Sequence, residues 1–577
     1  TQAPAGKALA VSPVDYDRDG RLDLFVANDT TRNFLYHNLG DGRFEEIGAL
    51  EGIAFDRNGK ATSAMGVDAA NFRDDREVGI AVGNFANEMA SLFVTTEGRA
   101  PFVDEAVLEG IAALKAAGIA ITLSPFLLMD IPPGNGLSDP YGGGEQAAFP
   151  WRGRIRSLHD NSARARTDIE AFLGADGRGG YRHFILHHAR LAAQAGGIEA
   201  FLVGSEMRGL TRMRDEGGRF PFVDALIELA AEVKAIVGPT VQVSYAADWT
   251  EYGSFSPGDG SGDVLFPLDP LWTSANIDFV GVDWYPPAGD WRNGTDHLDF
   301  QAGYPSADDA DYIRSHLAGG EAFDWYYGSG ADRVAQNRLP ITDGAHGEHW
   351  IFRQKDLIGW WENLHHERPN GRRNTAPTAW TPKHKPIRMI EIGFPAIDKG
   401  PNAPNVFYDP KSSESALPYF SDGHQDDLIQ RRALSTAIPF WRDQEAIEKV
   451  LVWAWDGRPW PSFPARDDVW SDGPNWQFGH WLNGRTGLIE LSEVLSDMAK
   501  QSDLAINADG AIGYVDGYLI DQLTSVASAI SPLAFAYNFS LRERESDLTV
   551  VSNDQRTSVD IAASKIVEDG DLLTLPL

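Results

Sequence analysis

The chain has 577 residues, of which 43% are hydrophobic, 11% aromatic and 23% charged, with a formal net charge of −33. That length exceeds what one hydrophobic core usually serves, so two to four domains are expected, and the negative field repels phosphate backbones, which argues against nucleic acid as a direct partner. The lack of cysteine removes disulfides, thiolate metal sites and cysteine nucleophiles, no run of about 18 apolar residues predicts a membrane span, and no signal peptide is visible in the opening TQAPAGKALAVSPVDYDRDG.

Residues 1–97 are rich in Asp, Asn and Gly and carry short β-type runs, LDLFVAND at 22–29 and VGIAVGNF at 78–85. Ahead of the first run, Asp15, Asp17, Asp19 and Asp23 stand at positions 1, 3, 5 and 9 of a loop, with Gly20 at 6 and the Arg21 carbonyl at 7. Hard oxygens at alternate positions around a glycine turn are what Ca²⁺ requires. Position 12 is Val26 rather than a bidentate Glu, and a strand follows rather than a helix. The competing reading is a solvated acidic turn. The loop and the following NDTTRNFLYHNLGDGRFEE resemble the FG-GAP or VCBS-type repeat of β-propeller proteins. A second copy starts near Gly66-Val67-Asp68, with Asn71, Arg73 and Gly79 where the first has Asp15, Asp17 and Asp23. Two repeats cannot close a ring of about four to eight blades, so a calcium clip in a partial β unit is the expectation.

From 102 to 487 the texture changes to an α/β alternation. Helical periodicity marks 103–118, 181–196, 222–238 and 426–444; strand-like apolar runs occupy 119–129, 199–205, 240–247, 277–282, 386–390 and 449–455. Such alternation predicts parallel βαβ units and a (β/α)8 TIM-barrel-like domain. Six strands are found where a closed barrel has about eight. The two missing ones should precede the helix at 103–118, so either the Asp-rich region completes the sheet or the barrel is open. From 488 to 577, two helices (491–504 and 525–539) and a hairpin through 541–552 predict a small α+β segment.

Active sites of such barrels lie at the C-terminal ends of the strands. There the six runs deliver Asp130, Glu206, Asp248 beside Trp249, Asp283 with Trp284 and Tyr285, Glu391, and Trp453, Trp455 and Asp456. Asp is also a common helix cap, but Glu is a poor one, and FLVGSE and IRMIE carry an acid straight out of an apolar run. Glycoside hydrolysis needs two carboxyls, one protonated to assist the leaving oxygen and one to attack or activate water, so Glu206 and Glu391 are the candidate pair. The remaining acids and aromatics are candidate sugar-binding residues.

If the missing strands come first, Glu206 and Glu391 end strands four and seven. This resembles the large superfamily of retaining glycosidases, and the resemblance implies Glu206 as acid/base and Glu391 as nucleophile. Many of its members have Asn before the acid/base; this chain has Ser205. The stretches LLMDIPPGNGLSDPYGGGEQAAFPWRGRI (127–155), FLVGSEMRGLT (201–211), VSYAADWTEY (243–252), KPIRMIEIGFPAIDKGPNAPNVFYDP (385–410) and VWAWDGRPWPSFPARDD (452–468) look like the glycoside-hydrolase-like TIM barrel of gene transfer agent and phage tail-tip (host specificity) proteins. The C-terminal segment is similar to the start of the tail-hub region that follows that barrel. The family's opening strands are absent, and FG-GAP-like sequence stands in their place.

The resemblance implies a tail-tip glycoside hydrolase acting on bacterial surface or cell-wall glycan, with other tail proteins as partners and a tail-like particle or the cell exterior as location. A non-catalytic, carbohydrate-binding structural component is the alternative, and a calcium-dependent adhesion protein the third. His187-His188 and His365-His366 lack HExxH spacing, and adjacent helix positions point about 100° apart; ordinary hydrogen bonding is expected of them. Gly142-Gly143-Gly144 lacks the strand-to-helix setting of a phosphate loop, and Lys411 to Ala416 (KSSESA) has no partner base.

Overall fold

The computed structural model describes residues 6–49, 51–55, 61–70, 78–85, 91–95, 104–174, 180–485, 488–544, 547–553, 567–569 and 572–574. Asn71 and Arg73 of the second repeat lie outside these residues, as do the expected boundaries near 97, 102 and 487.

The Asp-rich region forms two antiparallel sheets. The first is a meander of β1 (Ala8–Val14), β2 (Asp23–Asn28), β3 (Phe34–Gly40) and β4 (Arg43–Glu46); the second joins β5 (Ala64–Ala70), β6 (Gly79–Asn84) and β7 (Ser91–Val94). Asp41 and Gly42, with φ of 55° and 72°, close the β3–β4 hairpin. A two-residue turn with both φ positive twists in the same sense as its strands, and Asp-Gly is the sequence that tolerates it. Phe25, Ala27 and Leu35 of the first sheet bury against Ile80, Val82 and Phe93 of the second in one cluster, with the Phe25 and Phe93 rings 6.4 Å apart.

The central domain is built on six parallel strands in sequential order: β8 (Thr122–Leu123), β9 (Ala200–Ser205), β10 (Gln242–Asp248), β11 (Val280–Trp284), then, after a short hairpin of β12 (Trp325–Tyr326) and β13 (Leu339–Pro340), β14 (Ile387–Ile392) and β15 (Ile447–Val452). All six expected strands are present. None of β1–β7 pairs with them, so the N-terminal region does not complete the sheet among the described residues. The run 119–129 is the exception in length: only two of its residues pair. Pro125, which has no N–H to donate, ends that ladder.

The sheet curls. β9 and β14 are three ladder steps apart, which on a flat sheet would be about 14 Å, yet carboxylate oxygens of Glu206 and Glu391, at their C-terminal ends, lie within 4.8 Å of each other. At the opposite end, Arg388 of β14 reaches across the interior. It donates to Gln242 on β10 and pairs with Glu448 at 2.6 Å and Glu199 at 3.3 Å, and Lys449 of β15 joins Glu199. The helices Tyr181–Gln194, Pro221–Val237 and Asp427–Arg442 bury their apolar stripes outside the sheet.

The C-terminal segment has its own cluster, in which helices Leu491–Lys500 and Val526–Ala536 pack with the hairpin β19 (Phe539–Arg544) and β20 (Asp547–Ser552); three two-residue strands, β16 (Ile489–Glu490), β17 (Ile506–Asn507) and β18 (Tyr514–Val515), complete it. Arg431 and Arg432 of the last barrel helix fasten it through Glu493, Glu490 and the Tyr514 hydroxyl.

Candidate active site

Glu206, Asp283 and Glu391 come together, an oxygen of each lying within 4.8 Å of the others. Glu206 follows β9 directly and takes a left-handed backbone, φ 52°, while its N–H still donates to Ala246 of β10 at 2.8 Å. A non-glycine residue held there stores about 1–3 kcal/mol of strain, which the surrounding packing must offset. Part of that packing is the close approach permitted by Gly204, whose missing Cβ would stand 2.5 Å from the Tyr181 hydroxyl.

Each acid has a distinct set of partners. Glu206 Oε2 accepts from Trp151 Nε1 at 2.7 Å and faces Arg152 Nη2 at 2.9 Å. Glu391 Oε2 accepts from the Tyr285 hydroxyl at 2.7 Å. Asp283 is fully buried; its Oδ2 accepts from Ser205 Oγ at 2.9 Å and its Oδ1 has no partner. Burial pushes all three carboxyls above their ordinary range, and each is raised further by neighbouring acids. Glu391 is pushed up to about 7, and the Tyr285 hydrogen bond and Arg152 pull it partway back. Arg152, held over the Phe126 ring at 4.7 Å and donating to Ser205 Oγ at 2.8 Å, is the one cation among the described residues that touches this cluster, and Glu391 keeps its proton into the neutral range. Three such oxygens could also hold a metal ion, but the guanidinium already fills the cation's place beside Glu206.

The other expected site residues divide. Asp248 ends β10 close by, accepting from Thr250 N at 3.0 Å and lying 3.9 Å from Arg208; Trp249 is half-buried against the core. Tyr285 is buried with its hydroxyl on Glu391 and its ring 5.7 Å from His480. Trp453 is 39% exposed and meets Phe126 edge-on at 6.4 Å, across the open side between β15 and β8. Trp455 is 75% exposed, a free indole face. One expectation is corrected, that for Trp284, and two residues, Asp130 and Asp456, are placed apart from the acid cluster. Trp284 is 3% exposed and packs against Trp441 at 5.2 Å: alternation along β11 turns Asp283 inward and Trp284 outward to the helices. Asp130 lies exposed in a loop, seven residues past the end of β8. Asp456 is taken up by Arg458 at 2.6 Å and Trp481 Nε1 at 2.9 Å, and these partners hold its carboxyl below its ordinary value.

Trp151, Arg152, Arg208 and Glu251 carry no strand-end signature. Glu251 is buried, accepts from Thr211 Oγ1, Tyr245 and Asp248 N, and is pushed up by burial to about 7. Its one cue is DWTE, where an acid recurs three residues after the strand's last. His365 bonds Asp269 and the Trp360 carbonyl, while His366 and His188 each bond a backbone carbonyl, the structural role expected of them.

In the N-terminal loop, oxygens of Asp15, Asp17 and Asp23 lie within 4.8 Å of one another, as do ligand atoms of Asp17, Asp19 and His37. Asp15 Oδ1 is buried without a partner, as an oxygen directed at a cation would be. Asp23 accepts from Tyr16 N, Asn38 N and His37, and Asp19 pairs with the Arg21 side chain.

The model of the FG-GAP-like repeat matches residues 15–77, and that of the GTA TIM-barrel-like domain matches residues 179–464. Over 100 residues, 17% of this chain, it is 31% identical to cartilage acidic protein 1 of Homo sapiens, and over 101 residues it is 33% identical to that of Xenopus tropicalis. The chain spans 14% of the length of each of these curated relatives. Among solved structures, a GH113 β-1,4-mannanase complex is 15% identical over 67% of this chain and 77% of its own, with a TM-score of 0.29. The GH113 β-mannanase of Alicyclobacillus acidocaldarius in complex with ManMIm is 16% identical over 65% and 72%, with a TM-score of 0.30. The central α/β part of this chain is thus a GTA TIM-barrel-like domain, joined in one polypeptide to an FG-GAP-like repeat.

Proposed function

We propose that the barrel is a retaining glycoside hydrolase of a phage-tail or gene-transfer-agent tip, acting on bacterial surface or cell-wall glycan. The observation that carries this reading is the approach of Glu206 and Glu391 to within 4.8 Å at the C-terminal end of the strands. Retention works with carboxyls about 5–5.5 Å apart, whereas inversion needs about 6.5–9.5 Å to admit a water. Glu391 serves as nucleophile, its carboxylate steadied by the Tyr285 hydroxyl. Glu206 serves as acid/base, its strained backbone and its bond to Trp151 holding it at the leaving oxygen's side. Asp248, Trp453 and the exposed Trp455 face the glycan. The C-terminal segment contacts further tail proteins, and the N-terminal loop binds Ca²⁺ through Asp15, Asp17, Asp19, Asp23 and the Arg21 carbonyl, a set that suits a hard cation.

Reducing-end release from bacterial cell-wall and capsular polysaccharides is the test. Release by the intact protein that vanishes in Glu391→Gln supports the hydrolase; release unchanged in that variant removes Glu391 from the reaction. One observation favours the alternative, a recognition module without turnover: Arg152 sits 2.9 Å from Glu206 and stabilises the ionised form that a general acid must not keep. Glycan binding without release would establish that reading.

A further inference from the structure

Buried and half-buried arginines of this barrel are paired with acids, commonly two each: Arg214 with Asp160 and Asp259, Arg338 with Asp290 and Asp299, Arg368 with Asp343 and Glu348, Arg388 with Glu199 and Glu448. Arg212 breaks the pattern. It donates to the Thr250 carbonyl and lies over the Phe255 ring at 4.8 Å, and among the described residues no carboxylate stands within 4.0 Å of it; its buried Nε lacks a partner, as do those of Arg214, Arg338 and Arg368. Glu251 and Asp248 are near but committed elsewhere, to Thr211, Tyr245 and Thr250.

A second guanidinium stands beside it. Arg208, four residues earlier, also bonds Thr250 and lies over the Trp151 ring at 5.3 Å; its nearest carboxylate, Asp248, is 3.9 Å away, and its side chain is 37% exposed. The two cations disfavour each other: burial and Arg208 together push Arg212 down to about 10. Trp151 is the residue that donates to Glu206, so this doublet borders the catalytic acids. In a chain of net charge −33, two adjacent guanidiniums whose one carboxylate within 4.0 Å, among the described residues, is Asp248 at 3.9 Å from Arg208 favour an anion beside them.

We propose that the glycan taken by this site is acidic, with a ring carboxylate of the uronic-acid class seated between Arg208 and Arg212. The inference rests on the glycan reading of the barrel and names its substrate class. A carboxylate matches the planar fork of a guanidinium in two-point contact, and Arg212, already anchored on Thr250 and Phe255, needs no reordering to make it.

The test compares bacterial capsular and cell-wall polysaccharides before and after carboxyl reduction, which converts uronic acids to neutral sugars and leaves sulfate and phosphate untouched. Binding and reducing-end release are measured separately, with thermal melts as a folding control. Native uronic-acid polysaccharide should bind, and its reduced form should bind about 10- to 100-fold more weakly. Arg212→Gln and the more exposed Arg208→Gln should each lose most of that difference while binding the reduced form as the intact protein does, a pattern that a general packing defect would not produce. Equal binding of native and reduced forms overturns the proposal, as does unchanged discrimination in both variants. Binding of the acidic form without release leaves the proposal standing and removes the hydrolase; release confined to neutral glycan does the reverse. No binding of any polysaccharide in either form overturns both.

Discussion

Trp284 and Trp455 each carry an indole next to a strand-end acid, Asp283 and Asp456, and the structure gives them opposite work. Trp284 fills the space between β11 and Trp441, so Trp284→Ala should cost about 3–5 kcal/mol, read from denaturant unfolding, with glycan affinity of the folded protein unchanged. Trp455 is open to solvent; Trp455→Ala should alter stability by no more than about 0.5 kcal/mol yet weaken glycan binding about three- to tenfold, the worth of one stacked ring. Unaltered binding would remove Trp455 from the sugar path. The sequence marked both only as aromatics next to an acid. What separates them is the period-two alternation of a strand that runs to Trp284, two residues beyond the apolar run. Tyr285 makes a sharper case. Its hydroxyl bond favours the Glu391 carboxylate, so Tyr285→Phe removes a stabiliser of the ionised form and raises the Glu391 pKa above about 7. If Glu391 must be ionised to attack, the acid limb of kcat/KM moves to higher pH in the variant. A limb that stays in place would show that Glu391 does not set it.

At the scale of elements, six strands were legible because each is an apolar run bounded by amphipathic helices. Four of the acids at their ends, Glu206, Asp248, Asp283 and Glu391, were legible because strand ends converge on a barrel axis. Asp130 lies beyond the strand end because Pro125 cuts the ladder short, and Asp456 is paired with Arg458, two residues on. Arg152 was invisible in any periodicity: it arrives from the loop after β8, some fifty residues before the acid it touches. The other end of the sheet depends on one side chain in a comparable way. Arg388, on β14, joins Gln242 on β10, Glu448 on β15 and Glu199 before β9. In a sheet whose edge strands β8 and β15 are not paired with each other among the described residues, such a tie across the interior substitutes for a missing ladder. Arg388→Ala empties a buried position and leaves half-buried Glu199 and exposed Glu448 without their shared guanidinium, and should destabilise by about 3 kcal/mol. Arg388→Met, which keeps the contact with Phe279, should lose less. Equal loss in both variants would mean that the stem, rather than the charge, holds the strands.

Among the described residues there are four hydrophobic clusters, one in the N-terminal sheets, two in the barrel and one in the C-terminal segment, and calcium should act on the first alone. Burial raises the carboxyls of Asp17 and Asp23 above their ordinary values, with their acidic neighbours adding to the rise. A carboxyl whose folded pKa is raised binds protons more tightly when folded, so its contribution is favourable at low pH and is lost as pH climbs from about 4 through the raised value. Without metal, the N-terminal unit should therefore weaken over that interval, as like charges accumulate around the buried Asp15 oxygen. Ca²⁺ needs the ionised carboxylates, so the stabilisation it provides should grow over the same interval. With Ca²⁺ at a hundredfold excess over its Kd the gain is about 2.7 kcal/mol. In calorimetric scans at neutral pH, Ca²⁺ should raise one transition, that of residues 6–95, and leave the barrel's in place; below about pH 4 the shift should vanish. Asp17→Asn should abolish the shift and, by removing one charge from the cluster, leave the metal-free unit no weaker at neutral pH than the parent. A calcium shift that moved every transition together would place the ion elsewhere. A shift independent of pH would mean that these carboxylates are not its ligands.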